Sequence, residues 1–257
     1  MILESEPSSR MDSNSSHPSF DSIPSCISAF SRGDFIIVLD SEHRENEADL
    51  IIAAQDLTPE KMAFMIRYSS GLVCAPLTPQ RAKLLDLPQM VNENTDPNRT
   101  AYTISIDAVS EGVTTGISAA DRATTCRVLA RDSATSSDLR RPGHIFPLRA
   151  REGGVRQRQG HTEAAVDFCR LAGKAEVAAI CEMVEDGVET FDQEGRLRAE
   201  RADGGMMRRD SALSFGRRWG LKVCTIEKLV EYMNETKGAD GPHLNGITNG
   251  VGEVGKV

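Results

Sequence analysis

Aromatic residues are scarce in this chain, at 5% of 257 positions, so the core must rest on Ile, Leu, Val, Ala and Met. No apolar run approaches the ~20 residues needed to span a bilayer, which excludes a helical membrane protein. The opening residues, MILESEPSSRMDS, contain no apolar stretch of the kind a secretory signal needs. The six cysteines, Cys26, Cys74, Cys126, Cys169, Cys181 and Cys224, form no C-x-x-C pair and no zinc-ribbon spacing. They read as reduced thiols of a cytoplasmic protein. Positive charge is in deficit: the net charge is -8 and the pI about 5.3. Such a surface repels phosphate backbones and argues against nucleic acid as a main partner, while a local Arg cluster could still take a small anion. Neither of the common nucleotide loops, GxGxxG or GxxxxGK followed by Ser or Thr, occurs. No internal repeat is visible.

What is present suits a globular enzyme. Hydrophobic residues at 39% and charged residues at 26% are enough for a sizeable core in a chain of this length. Residues 1–18, rich in Ser, Pro and Asn, read as a flexible arm, and 237–257, rich in Gly, as a flexible tail. A single domain is expected over 19–236. Within it, 34–40, 50–55, 71–77 and 176–183 are apolar runs typical of buried strands, 102–107 alternates like a half-buried one, and 221–226 makes a last strand. Thr58-Pro59 and Thr78-Pro79 are helix starts, with Thr as cap and Pro at the first position. Ser118 and Asp121 have capping-box spacing for a helix reaching about Arg131. Thr162 is expected to cap a helix ending at Gly173, and Thr225 a last one. Residues 141–143 and 153–154 read as turns, and 186–210 as a long surface insertion. Irregular alternation of strands and helices predicts the α+β class: a three-layer α/β/α arrangement, with a mixed twisted sheet covered by helices on both faces.

Three stretches carry candidate chemistry. Residues 44–49, RENEAD, crowd three carboxylates between two buried strands. Hard cations such as Mg²⁺ want such oxygen ligands, and clustered carboxylates push their pKa values apart. A solvated hairpin turn would look the same. Residues 158–162, RQGHT, combine Arg158, a bidentate donor for phosphate, with a helix N-terminus and a histidine able to bind metal; a plain helix cap fits as well. Residues 112–116, GVTTG, offer a weaker anion edge, and an ordinary capped turn is the better reading there. Glu182 closes an apolar strand, where open α/β sheets place ligands. His144 alone reads as structural, and Cys74 as an inert buried thiol.

Taken together, RENEAD, SGLVC, EGVTTGISAADR, RPGHIFPLRA, GHTEA and a strand-borne CE, in this order, resemble the 3,4-dihydroxy-2-butanone 4-phosphate synthase family from about Phe20 to Met233. The resemblance implies conversion of ribulose 5-phosphate to 3,4-dihydroxy-2-butanone 4-phosphate and formate for riboflavin biosynthesis. It further implies a divalent cation, Mg²⁺ or Mn²⁺, and a homodimer with active sites near the subunit interface. By motif, Glu45 and His161 match metal ligands, Arg44 and Asp49 sugar contacts, and Arg158, Gln159, Gly160, His161 and Thr162 the phosphate stretch, with Thr115 a weaker phosphate contact. His144 and Glu182 match essential catalytic residues, and Glu47 and Cys74 line the site. Asp49, His144, Glu182 and Glu47 form a plausible acid/base set. Ala48 stands where many relatives have Gly, so the turn is expected to keep φ negative there. A fused cyclohydrolase domain would need a longer chain, so one activity is expected. A nucleotide- or RNA-binding domain of the YrdC type shares a related layered architecture, but the crowded carboxylates disfavour it. A different metal-dependent sugar-phosphate lyase would yield no formate.

Overall fold

The computed structural model describes residues 19–110, 112–185, 188–200 and 204–238. The arm at 1–18 and the tail beyond 238 lie outside the described residues. In chain order the elements are α1 (Ile23–Ser31), β1 (Ile36–Leu39), β2 (Ala48–Ala53), α2 (Pro59–Arg67), β3 (Cys74–Leu77) and α3 (Pro79–Leu84). There follow β4 (Ile106–Ala108), α4 (Ala119–Ala130), β5 (Leu139–Arg149), α5 (His161–Leu171) and β6 (Ala178–Glu182). The last are β7 (Val188–Phe191), β8 (Leu197–Glu200), α6 (Arg209–Trp219), β9 (Lys222–Thr225) and α7 (Ile226–Gly238).

Seven strands form one mixed sheet in the order β4-β5-β3-β6-β2-β1-β9. β1 runs antiparallel to β2 and parallel to β9; β6 lies antiparallel between β2 and β3. Strand residues point alternately to the two faces, and this divides the core. Ile37, Leu39, Leu50 and Ile52 pack with Met62 and Met65 of α2, Leu129 of α4 and Leu213 of α6. Ile36, Val38 and Ile51 pack with Phe30 of α1, Phe168 of α5 and Leu229 of α7. Helices thus cover both faces, as the three-layer expectation required.

Four of the expected helices carry the caps read from the sequence. Thr58, Thr78 and Ser118 each accept a backbone N–H from the residue three positions on, and Thr225 does the same for Lys228. Asp121 does not close a capping box. Its carboxylate turns back to accept from Gly116 N–H and the Thr114 hydroxyl.

Several expectations need correction. Only Ile106–Ala108 of the expected strand at 102–107 is continuous; Tyr102 and Thr103 make isolated bridges to Leu148 and Gln89. Residues 141–143 are not a turn but lie inside β5. Gly143 allows this, since a Cβ there would sit 2.0 Å from the Ile106 carbonyl carbon. The cap of α5 is Gly160, not Thr162, which lies buried in the first turn. Residues 188–200 form a hairpin that makes its own two-stranded sheet, and 209–210 open α6. Two helices, α1 and α6, were not anticipated. The α6 cap, Arg208, makes no side-chain capping bond, so the usual start signal is missing. No helix of the described residues is long and apolar enough to cross a membrane.

Candidate active site

Strand register assembles the acidic cluster. Asp49 lies opposite Val38 on β1 and opposite Glu182 on β6. Alternation turns Asp49 and Glu182 to the face covered by α5. Like charges directly opposite each other repel, so this pair calls for a shared proton or a cation. The first residue of α5, His161, is buried above them, with Nδ1 3.5 Å from Asp49 Oδ1 and 3.8 Å from Glu45 Oε2. Its Nε2 lies 3.1 Å from the Val38 carbonyl oxygen. A carbonyl can only accept, so Nε2 carries hydrogen and Nδ1 is the nitrogen aimed at the carboxylates.

The β1–β2 turn is organised by Asp40. Its Oδ2 accepts from Glu45 N–H at 3.0 Å and Arg44 Nη1 at 2.8 Å, and its Oδ1 accepts from Glu47 N–H at 2.9 Å. Asn46 adopts φ 54° to close the turn, while Ala48 keeps negative φ, as expected, at the start of β2. Arg44 also donates to Glu45 Oε2, and Asn98 Nδ2 donates to Glu45 Oε1 at 2.7 Å.

The electrostatics follow from burial and crowding. Burial pushes the Asp49 carboxyl up to about 7, with His161 opposing and Glu182 reinforcing the rise. Burial disfavours charge on His161, but the neighbouring carboxylates of Asp49 and Glu45 outweigh it and hold the ring at about 9. Burial would raise Glu45; the nearby His161 ring and the Arg44 charge reverse this and hold it below its ordinary value. Burial, then Glu45, raises Glu182. Glu47 is raised in the same way, by burial and by Glu45 and Glu182.

A divalent cation fits these residues. Ligand atoms of Asp40, Glu45 and His161 all lie within 4.8 Å of one another. Two ligands of one Mg²⁺ at ~2.1 Å each can be at most about 4.2 Å apart, and the Glu45–His161 separation of 3.8 Å falls inside that limit. Asp49 Oδ1 is buried without a hydrogen-bond partner, an orphan that a cation or its water would satisfy. Oxygen-rich donors with one imidazole suit Mg²⁺ or Mn²⁺.

Arg44, Glu45, Asp49, Cys74, Arg158, His161, Thr162 and Glu182 line one cavity of about 160 Å³, together with Asp96, Thr100 and Tyr102. Eight candidates scattered over 139 residues of sequence, from 44 to 182, thus meet. Burial pushes the Cys74 thiol well above its ordinary value, so it lines the cavity as a neutral group. Arg158 is heavily engaged already: it donates to Glu163, to Thr100 Oγ1 and twice to the Asn98 carbonyl. Gly160 makes room for this, since a Cβ there would meet Arg158 Nη1 at 2.2 Å. Gln159 lines a different cavity, behind the acidic turn, with Asp40, His43 and Glu227.

Glu47, His144 and Thr115 are not among the residues lining the 160 Å³ cavity. The His144 Nδ1 and backbone N–H both meet the buried Asp107, each at 2.9 Å. The ring stays 40% exposed. Gly116, next to Thr115, packs its Cα against the Asp107 carboxylate. Sequence reasoning missed Asp40, Asn98 and Asp107. Asp40 and Asp107 each end an apolar stretch, the same signal that singled out Glu182; Asn98 carried none.

An α/β/α protein whose interior strands β2 and β6 bring carboxylates together beside a helix N-terminus suits a metal-assisted enzyme acting on a small anion. The family model described as 3,4-dihydroxy-2-butanone 4-phosphate synthase matches residues 24–232. The chain belongs to this family, whose members convert ribulose 5-phosphate to the product of that name in riboflavin biosynthesis. It is 60% identical over 219 residues to the synthase of Pyricularia oryzae, covering 85% of this chain and 92% of that one. To the synthase of Schizosaccharomyces pombe it is 51% identical over 213 residues, covering 82% and 97%. A crystal structure of a 3,4-dihydroxy-2-butanone 4-phosphate synthase in complex with two magnesium ions superposes with TM-score 0.81 at 59% identity, covering 85% of this chain and 99% of that one. A cation-free form gives TM-score 0.78 at 58% identity, covering 86% and 100%.

Proposed function

We propose that this cavity converts D-ribulose 5-phosphate to 3,4-dihydroxy-2-butanone 4-phosphate and formate, with Glu45 and His161 holding Mg²⁺ or Mn²⁺. The observation that carries the reading is the Nδ1 of His161 facing Glu45 Oε2 at 3.8 Å, with the orphaned Asp49 oxygen beside them. When bound, the cation supplies Lewis-acid polarisation of the sugar's oxygens. The remaining chemistry falls to the side chains. A proton must leave the carbon next to the ketone, a carbon–carbon bond must shift, and C4 must depart as formate. Asp49, held near neutrality at about 7, is suited to take and return protons. Glu182, raised by burial and lying across from it, serves as a second proton carrier, and Glu47 as a third at the turn. Arg44 contacts the sugar. The first turn of α5, from Gly160 through Thr162, with Arg158 and Gln159 before it, receives the phosphate.

His144 and Thr115 join this machinery across a homodimer interface in this reading. The His144 ring is 40% exposed, and Leu72, Val109 and Ile117 are exposed apolar residues on segments flanking the strands that pair with or near β5. Residues 19–236 make up one catalytic domain. Six buried free cysteines support a reducing, cytoplasmic setting.

Incubation with ribulose 5-phosphate and Mg²⁺ should release formate, and chelator should stop it; no formate with Mg²⁺ or Mn²⁺ ends the reading. The interface has its own test. Mixing His144→Ala chains with His161→Ala chains should restore about a quarter of the activity through mixed dimers; no restoration places His144 outside the partner's site.

A further inference from the structure

Glu45 is held at both of its oxygens, and the two holds differ. Oε2 shares Arg44 and faces His161 Nδ1. Oε1 is taken by Asn98 Nδ2 at 2.7 Å. Asn98 is itself braced by an anchored arginine. Its carbonyl accepts from Arg158 Nε at 3.2 Å and Nη2 at 3.1 Å. Arg158 in turn donates to Glu163 Oε2 at 2.6 Å, and the Glu163 side chain is 1% exposed. The missing Cβ of Gly160 admits that pair. Farther along, Asp96 and Asn94 fix the same loop through Thr100. A chain of contacts therefore runs from the buried start of α5 to one oxygen of the metal ligand.

We propose that Asn98 is a positioning residue that keeps Glu45 Oε1 away from the cation, so that Glu45 coordinates through Oε2 alone and the site prefers Mg²⁺ or Mn²⁺ to Ca²⁺. The physical reason is geometric. Mg²⁺ demands near-ideal octahedral positions and uses single carboxylate oxygens, whereas Ca²⁺ readily accepts a carboxylate through both. Oε2 already faces His161 Nδ1 and shares its Arg44 donor with Asp40, whereas Oε1 is tied to the braced Asn98 amide, which disfavours bringing both oxygens to one ion. Partners one step removed from a metal set its affinity by orienting the ligands.

The inference rests on the reading that Glu45 and His161 take the cation, and the test separates the two. Mg²⁺ and Ca²⁺ binding to the full chain would be measured by calorimetry, and Mn²⁺ by electron paramagnetic resonance, for the native protein, Asn98→Ala and His161→Ala. The alanine at 98 removes the side-chain donor but keeps the carbonyl that Arg158 holds. It should raise the Kd for Mg²⁺ and Mn²⁺ by about tenfold and that for Ca²⁺ by much less, narrowing the preference. Asn98→Ser, whose hydroxyl is too short to reach Glu45, should behave alike and guards against a folding defect in either variant. If Asn98→Ala and Asn98→Ser keep the native Mg²⁺-to-Ca²⁺ ratio while His161→Ala abolishes Mn²⁺ binding, the role of Asn98 is wrong and the metal site stands. If His161→Ala binds Mn²⁺ normally, the metal site itself is wrong.

Discussion

Two buried aspartates lie against the same helix, α5, and end in opposite states. Asp167, in the helix, is satisfied by the chain itself: Oδ2 accepts from Val155 N–H at 2.8 Å, and Oδ1 from Arg170 Nη1 at 2.6 Å. Gly154, at φ +63°, leaves the room; a Cβ there would sit 2.2 Å from Asp167 Oδ2. Asp49, beside the first residue of α5, has Oδ1 without a hydrogen bond, the His161 ring 3.5 Å away, and three further carboxylates, Glu45, Glu47 and Glu182, near it. Burying an unpaired charge is costly. A fold tolerates such a group only where something else neutralises it. Asp167 has its donors built in; Asp49 Oδ1 has no hydrogen bond and only the His161 ring, 3.5 Å away, to face it.

Substitutions can break this contrast, and the largest effect is expected at His161. His161→Ala removes the imidazole that faces Glu45 and Asp49, and with it several kcal/mol of charge stabilisation. Turnover should fall roughly 10³-fold or more while circular dichroism stays native; full activity would remove His161 from the metal. Next comes Glu182→Gln, which keeps shape but loses the proton. It should lower kcat about 10²-fold with KM little changed, and a pure KM effect would assign Glu182 to binding.

Asp167→Asn should do the reverse. Losing the charge that meets Arg170 should cost about 1–3 kcal/mol of stability, read as a lower midpoint in urea, with formate release per folded molecule preserved. Equal loss of activity and stability would erase the distinction between the two aspartates. The smallest effect is a proton. In the absence of a cation the carboxylates of Asp49 and Glu45 push the buried His161 ring up to about 9, favouring its charged form at pH 7; a cation on Nδ1 must displace its proton. Calorimetry at pH 7 in buffers of different ionisation enthalpy should show up to about one proton released per ion from this ring. That release should vanish as pH rises above about 9, where the ring is already neutral. No release at pH 7 contradicts the assignment.

Local signals were read well where they act over a few residues. Apolar runs marked β1, β2, β3, β6 and β9, and hydroxyl caps marked α2, α3, α4 and α7. The failures have local reasons too. α6 lacks a side-chain cap: Arg208 stands where a hydroxyl or carboxylate would announce the helix. Pro142 and Gly143 spell a turn, yet they continue β5 because the backbone of Ile106 crosses close to Gly143. At the site, Glu45, Asp49, His161 and Glu182 were legible as types in a motif. Their partners were not: Asn98 reaches Glu45 across 53 residues, and Asp107 reaches His144 across 37.

By itself the amino-acid order determined the strands, most helix starts, the layered class and the family, because hydrophobic alternation and capping are properties of neighbouring residues. Tertiary structure alone decided which carboxylates face one another, which nitrogen of His161 is turned toward them, and which buried oxygen lacks a hydrogen bond. Those depend on contacts such as His161 with Val38, 123 residues apart, which exist only once the sheet has closed and water has been excluded around them.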